Sequence, residues 1–290
     1  MQQSIFARYP LASEQRSRTA RARAEEALVR FALLADTHAR DFIVIGGLNP
    51  DFLAPGAPHP HLGTTDVDLL FELGVFYDRD ELDFGWLERA LDAGGFVANA
   101  TGWQWTGVLG DAHVRLDLVC DVYDSPGLPV ELPGTARAAA QNMRGPAAAL
   151  NDPIERELQV PDTVRAEFPE APSQVSLRFA SLGGYLMAKS TAFMSRGLRK
   201  DGYDLAFVMM YAPGGPRAAA AAVSTVSSSA HHDPAMPNVR AAVERLATPQ
   251  SKWVDDVIDE LLRAGDDEEG DQLRSDVVVS AQQFLNALAP

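Results

Sequence analysis

The sequence predicts an α+β protein: a mixed β-sheet with flanking helices over residues 1–172, then a mainly helical domain over 173–290. Three observations carry this. Short apolar runs bounded by glycine or proline, or alternating apolar with polar, recur as far as Cys120, which is the patterning of strands. From residue 181 onward apolar residues recur instead at helical spacing. Hydrophobic residues make up 46% of the 290 and charged residues 22%, enough apolar material for a sizeable core.

The elements follow in order. Residues 12–38 read as a helix, with Ser13 as cap and Ala24, Leu28, Phe31 and Leu34 on one face. Its first half is basic (Arg16, Arg18, Arg21, Arg23). Phe42-Ile43-Val44-Ile45 is a buried-type strand ended by Gly46-Gly47. The proline-rich stretch 48–63 predicts a loop without regular structure. Thr65–Glu72 predicts a second strand, 78–94 a helix, and Trp103–Leu109 and His113–Cys120 two further strands. In the last of these, Val114, Leu116, Leu118 and Cys120 face one side; His113, Arg115, Asp117 and Val119 face the other. Residues 121–172 are rich in proline and turn signals and resist assignment. A strand at 174–180 leads into helices at 181–197 and 200–211. A small-residue linker at 212–236 precedes helices at 237–247, 251–264 and 271–288. Within that linker, Ala212 to Val226 reads as a loop or a small-residue helix. No internal repeat is visible.

Composition narrows the function classes. A single cysteine, Cys120, forms no internal disulfide, and no Cys/His spacing of a zinc site occurs, which fits a reducing cytoplasm. Residues 1–30 lack the apolar core of a secretory signal. No apolar run approaches the ~20 residues of a membrane span. The net charge of −15 disfavours a broad nucleic-acid footprint unless cations are concentrated locally. The acidic run around Asp266, Asp267, Glu268, Glu269 and Asp271 reads as a solvated loop.

Asp66 and Asp68 stand two apart on a strand, so both carboxylates share a face. Two adjacent carboxylates repel, and water on an open edge or a divalent cation offsets that cost. Magnesium takes one or two carboxylates plus substrate phosphates. Asp117, between Leu116 and Leu118 on another strand, is the third candidate. If its strand neighbours that of Asp66 and Asp68, three acids converge as two-metal phosphoryl or nucleotidyl transfer requires. Its plainer alternative is an ion pair with Arg115. Gly46-Gly47 would let backbone amides approach a phosphate, beside the polar Thr64-Thr65.

On the 181–197 helix, Leu182, Tyr185, Leu186, Lys189, Phe193 and Arg196 share a face. Lys189 therefore lies within an apolar stripe, either snorkelling or aimed into a cleft at a polyphosphate. Arg196, Arg199 and Lys200 form a basic cluster able to hold phosphate or an RNA end. Lys200 and Asp204 are spaced for a surface ion pair; alternatively Asp204 faces the cleft as a base or positioner. His59 and His61 in the proline-rich loop read as incidental.

With these residues in view the sequence resembles the nucleotidyltransferase superfamily, which shares the DNA polymerase β catalytic fold. Its pattern is a glycine pair, Asp-x-Asp on the next strand and a later third acid: here Gly46-Gly47, Asp66-Val67-Asp68 and Asp117. Within it, the chain looks like the AbiEii/AbiGii toxin group, which includes the MenT-type toxins. The matching motifs are Thr64-Thr65-Asp66-Val67-Asp68-Leu69, Lys189, Arg196, and Lys200-Asp201-Gly202-Tyr203-Asp204-Leu205. They span 43–71, 113–119 and 181–208; the N-terminal helix and everything beyond about 212 lie outside them. The chain departs from the group in following its glycine pair with Leu48-Asn49-Pro50, and in its acidity.

The resemblance implies a nucleotidyltransferase-type sheet in 1–172 and an enzyme that moves a nucleoside monophosphate from a nucleoside triphosphate to an acceptor hydroxyl, releasing pyrophosphate. Mg2+ or Mn2+ would be held by Asp66, Asp68 and Asp117. The nucleotide would be met by Gly46, Gly47, Thr64, Thr65, Lys189 and Arg196, with Lys189 and Asp204 also in catalytic roles. The acceptor would be tRNA, a protein or a small molecule, and a cognate antitoxin would accompany a toxin. The competing expectations are a small-molecule nucleotidyltransferase of the antibiotic-modifying kind and a non-catalytic nucleotide-binding or antitoxin-like module.

Overall fold

The computed structural model describes residues 16–73, 81–110, 112–122, 127–226 and 232–288. Among them, nine strands join one mixed sheet: β1 (Phe42–Ile45), β2 (Asp66–Phe71), β3 (Val97–Ala98), β4 (Gln104–Leu109), β5 (Ala112–Cys120), β6 (Pro129–Glu131), β7 (Ala139–Asn142), β8 (Ile154–Gln159) and β9 (Gln174–Phe179). The order is β3-β4-β5-β2-β1-β9-β8, with β7 attached to β5 and β6 to β7. β1 and β2 are antiparallel, whereas β2 and β5 are parallel. The helices are α1 (Arg18–Ala35), α2 (Pro50–Leu53), α3 (Gly85–Ala93), α4 (Asp162–Glu167), α5 (Leu182–Arg196), α6 (Arg199–Tyr211), α7 (Gly215–Val226), α8 (His232–Leu246), α9 (Lys252–Ala264) and α10 (Gly270–Ala287).

Strand alternation sorts the core into two layers. Val44, Val67, Leu69, Val114, Leu116, Leu118 and Cys120 face one way and meet Leu28 and Phe31 of α1 and Leu87 and Leu91 of α3. Ile43, Ile45, Leu70 and Val119 face the other way, onto Tyr185 and Leu186 of α5 and the helices behind it. Leu69 and Leu118 are fully buried at the centre, where truncation to alanine costs about 2–5 kcal/mol. Because Asp66 and Asp68 alternate with Val67 and Leu69, burying those two apolar residues under α1 turns the acids toward the helical layer.

Several expectations are corrected. The first helix begins at Arg18, not residue 12, and is capped by Ser17, whose Oγ accepts from the Ala20 amide at 3.1 Å. Ser13, expected as the cap, lies outside the described residues, as do 78–80 of the next predicted helix, which runs Gly85–Ala93. The proline-rich stretch is not wholly irregular: a 3-10 turn covers Gly46–Leu48, and Pro50 opens α2 at the position where a missing N–H costs nothing. Within the expected linker at 212–236, the small-residue helix rather than the loop forms: α7, whose alanines combine high helix propensity with close packing on α5 and α10. The unassigned stretch 121–172 contains β6, β7, β8 and α4. β9 pairs with both β8 and β1, so the sheet extends to residue 179, beyond the expected boundary at 172/173. No helix among the described residues is long and apolar enough to cross a membrane.

Candidate functional site

The acids come together as the strand pattern requires. β2 and β5 place Asp68 opposite Asp117 and Asp66 opposite Arg115, all on the face turned to α5 and α6. Asp66 and Asp117 are buried, whereas Asp68 is half-buried. The turn after β1 makes room for this row. Gly46 has a φ of +75°, and a Cβ there would lie 1.8 Å from Asp68 Oδ2. A Cβ on Gly47 would meet the Thr64 side chain at 2.5 Å. The glycine pair thus lets β1 close on the acid row, a closer approach than any other residue permits. Thr64 is buried and its hydroxyl donates to Asp66 Oδ1; Thr65 is half-buried at the edge of the same recess.

Two cations stand among the acids. Arg115 Nη2 lies 2.7 Å from Asp66 Oδ2 and its Nε 2.8 Å from Asp117 Oδ1, which realises the plainer reading of Asp117. Lys200 Nζ reaches Asp66 Oδ2 at 3.6 Å, so the expected pair with Asp204 does not form. Burial alone would raise the Asp66 pKa, but Lys200, Arg115 and the Thr64 hydroxyl outweigh it and hold the carboxyl below the usual range. Asp68 makes no ion pair or side-chain hydrogen bond among the described residues. Burial and the adjacent Asp66 push it up to about 6. Burial pushes Asp117 up to about 7, with Asp68 and Asp66 adding to the rise and Arg115 opposing it.

A second network occupies the helical layer. Asp204 on α6 accepts from Arg16 Nη2 at 2.5 Å, Lys189 Nζ at 2.9 Å and His61 Nε2 at 3.0 Å. The Gly63 amide donates to His61 Nδ1, which leaves the proton on Nε2 to point at Asp204. Burial holds the His61 ring down at about 4, against the pull of Asp204, so it is neutral at physiological pH. Asp204 is fully enclosed; burial would raise its pKa, but Arg16, Lys189 and His61 hold it well below the usual range. Such a carboxylate is a poor proton acceptor. It borders the recess beside the acid row and holds Lys189 and Arg16, which suits the positioner among the expected roles better than the base. Lys189 also lies 3.5 Å from Asp201, which pairs with Arg196 Nη2 at 2.9 Å. Burial would lower the Lys189 pKa, but Asp204 and Asp201 outweigh it and keep the ammonium charged.

Two cavities meet at this place. A small recess of about 60 Å³ is lined by polar groups, among them Thr65, Asp66, Asp68, Asp117, Arg115 and Lys200. A larger cavity of about 720 Å³ runs from Gly46 and Asp68 past Tyr185 to Met143, Thr191 and Asn238. Asp68, Lys189 and Arg196 line both. The larger volume lies in the range of small-molecule and cofactor sites.

The three carboxylates are oxygen ligands on one face, and the Gly46 cradle leaves Asp68 Oδ2 its space, both of which suit magnesium in kind. In arrangement, no three His, Cys, Asp or Glu side chains among the described residues form a preformed ligand cluster. Arg115 bridges Asp66 and Asp117 instead, so a cation would have to displace that guanidinium.

The structure therefore brings together Gly46, Gly47, Thr64, Thr65, Asp66, Asp68, Asp117, Lys189, Arg196 and Asp204 around the two cavities. Arg199, part of the expected phosphate-holding cluster, is turned away to Asp256 and Asp259 of α9 at 3.2 and 2.9 Å. Sequence reasoning missed His61 and Arg16. Both lie far in sequence from Asp204, and histidines among prolines give no periodic signal. It also took the 266–271 run as wholly solvated, whereas the Asp266 carboxylate is buried against His59 Nε2 at 3.0 Å. No family model matches this chain, and no curated protein matches it either.

Proposed function

We propose that the chain is a divalent-metal-dependent nucleotidyltransferase, moving a nucleoside monophosphate from a nucleoside triphosphate to an acceptor hydroxyl. The observation that carries this reading is the registered placement of Asp68 opposite Asp117, with Asp66 on the same face and the Gly46 turn closed over Asp68. A bound Mg2+ or Mn2+ would supply Lewis-acid activation of the acceptor hydroxyl and neutralise phosphate charge. Asp66, Asp68 and Asp117 would hold it, with Arg115 turned outward from between the acids. Lys189, fixed by Asp204 and Asp201, and Arg196 on the shared rim of the two cavities would meet the polyphosphate and stabilise charge developing on the leaving pyrophosphate. The larger cavity has room for the nucleoside. Lys189, Arg196, Lys200 and Arg115 are concentrated at the recess, whereas the chain as a whole carries a net charge of −15, which suits a small polyphosphate better than a long nucleic acid.

The finer assignment, a toxin resembling the AbiEii group with tRNA or a protein as acceptor and a cognate antitoxin, rests on the Lys189, Lys200-Asp201 and Asp204 motif. Support for it is that Lys189, Asp201 and Asp204 act as one buried unit. The net charge of −15 favours the second reading, a small-molecule acceptor. The Arg115 bridge favours a third, a nucleotide-binding module without turnover. Transfer of label from α-phosphate-labelled nucleoside triphosphates, offered RNA, protein and small-molecule acceptors with Mg2+ or Mn2+, tests all three. Transfer abolished in Asp66→Asn and Asp68→Asn is expected; undiminished transfer in those variants refutes the assignment. Calorimetric binding without transfer points to the non-catalytic module.

A further inference from the structure

We propose that Arg16 is a positioning residue of the nucleotide site: by pairing with one oxygen of Asp204 it leaves the Lys189–Arg196 network one positive charge in surplus for the polyphosphate. This rests on the nucleotide reading above. Arg16 stands just before α1, outside every motif of the sequence, and its side chain is 4% exposed. Its Nε donates to the Gly63 carbonyl at 2.7 Å, its guanidinium carbon lies 5.3 Å from the centre of the Tyr203 ring, and it lines the recess with Lys189, Arg196 and Asp204. The two oxygens of Asp204 are divided. Oδ1 accepts from Arg16 Nη2 and from His61 Nε2, whereas Oδ2 accepts from Lys189. His61 is neutral, so of the two donors on Oδ1 only Arg16 brings charge. Burial would lower the Arg16 pKa, but Asp204 outweighs it and keeps the guanidinium charged. Among the described residues the network holds three cations, Arg16, Lys189 and Arg196, against two carboxylates, Asp204 and Asp201. Glu260, another acid whose field reaches Arg16, has its own cation in Arg263 at 2.9 Å. Without Arg16 the network is neutral, and Asp204 draws on Lys189 instead. A neutral network attracts a polyphosphate less, because a unit charge buried beside a site is poorly screened.

The test compares wild type, Arg16→Gln, Arg16→Lys and the double variant Arg16→Gln/Asp204→Asn by calorimetric titration with nucleoside triphosphates in Mg2+. Arg16→Gln should bind roughly tenfold more weakly than wild type, the scale of one unit charge at about 10 Å and an effective dielectric of about 20. Arg16→Lys keeps the charge and should recover most of that loss. The double variant removes a cation together with its carboxylate, so the surplus charge returns and most of the affinity with it. It also buries no unpaired charge, so it stays folded even where Arg16→Gln does not. A second measurement follows the His61 ring by NMR without metal. Arg16 pushes the pKa of that ring down, while Asp204 and Asp51 pull it up. Arg18 meets the His61 carbonyl, and Tyr203 stacks on the ring. All of these but Arg16 are kept in Arg16→Gln, so the ring should titrate there above its wild-type value of about 4. Wild-type nucleotide affinity in Arg16→Gln overturns the inference while leaving the proposed function standing, and so does an unmoved His61 titration. A double variant that fails to fold, or binds as weakly as expected of Arg16→Gln, overturns it likewise, since Arg16 then serves shape rather than charge. A wild type with no nucleotide affinity overturns the proposed function, and this inference with it.

Discussion

Gly46→Ala tests whether the acid row must sit where the structure puts it. Gly46 has a φ of +75°, so an L side chain there costs about 1–2 kcal/mol in backbone strain. The added Cβ would lie 1.8 Å from Asp68 Oδ2, against an ordinary contact of 3.4 Å or more, so that oxygen must retreat by about 1.6 Å. That oxygen shares its strand face with Asp66 and stands opposite Asp117 on β5, so its retreat shifts the acid row. A displacement near 1 Å at a reacting centre costs about a hundredfold in rate. The expected outcome is a fall in thermal midpoint of only a few degrees, at roughly 2–4 °C per kcal/mol. Nucleotide-transfer kcat/KM should fall about a hundredfold. Gly56→Ala is the control: nothing lies within 4 Å of its Cβ position, and both measurements should be unchanged. A Gly46→Ala protein that loses stability as stated yet keeps kcat/KM within about twofold of wild type refutes the placement of Asp68 at the reacting centre.

Three further outcomes are expected. Asp204→Ala leaves the buried Arg16 and Lys189 uncompensated and should cost roughly 3–5 kcal/mol in urea unfolding; a loss under about 1 kcal/mol contradicts the holding role. Arg115→Ala removes the cation that competes for Asp66 and Asp117, so Mn2+ followed by electron paramagnetic resonance without nucleotide should bind several-fold tighter; unchanged or weaker binding contradicts the need for Arg115 to turn aside. Asp68 and Asp117 are raised to about 6 and about 7, above the ordinary carboxylate value, so the folded state holds more protons than the unfolded chain between about pH 4 and 7. Metal-free stability should accordingly decline as pH rises from 5 to 8 and Mg2+ should flatten that slope; a slope of opposite sign in thermal melts taken across that range contradicts these shifts.

What the sequence made legible was what is local or periodic. Strand alternation in Val114–Cys120 foretold which side chains face which layer, and Asp66 and Asp68 could be placed on one face from spacing alone. The helices Leu182–Arg196 and Lys252–Ala264 were found within a residue or two. The rest turns on small residues or long-range contacts. α7 is built largely from alanine, which left Ala212 to Val226 open between a loop and a small-residue helix; the helix forms. Helical spacing offers Asp204 as one partner for Lys200, but the carboxylate it reaches, Asp66, is 134 positions away on a strand. His61 and Arg16 join Asp204 across 143 and 188 positions, and no one-dimensional pattern encodes such contacts.

The arrangement of charge makes a stronger argument than the motifs do. Among the described residues, each buried acid near the cleft has been given a cation: Asp66 has Arg115 and Lys200, Asp117 has Arg115, Asp201 has Arg196, and Asp204 has Arg16 and Lys189. Asp68 has none at ion-pair distance. Burial and Asp66 raise its pKa to about 6, against the pull of Lys200, Lys189 and Arg115. A chain selected for stability alone would place an apolar or amide side chain at position 68, facing Ile45 across the ladder and beneath a helical layer. On the proposed reading, a divalent cation shared with Asp117 across the β2–β5 pair, with a polyphosphate reaching it past Lys189 and Arg196, would supply the compensating charge.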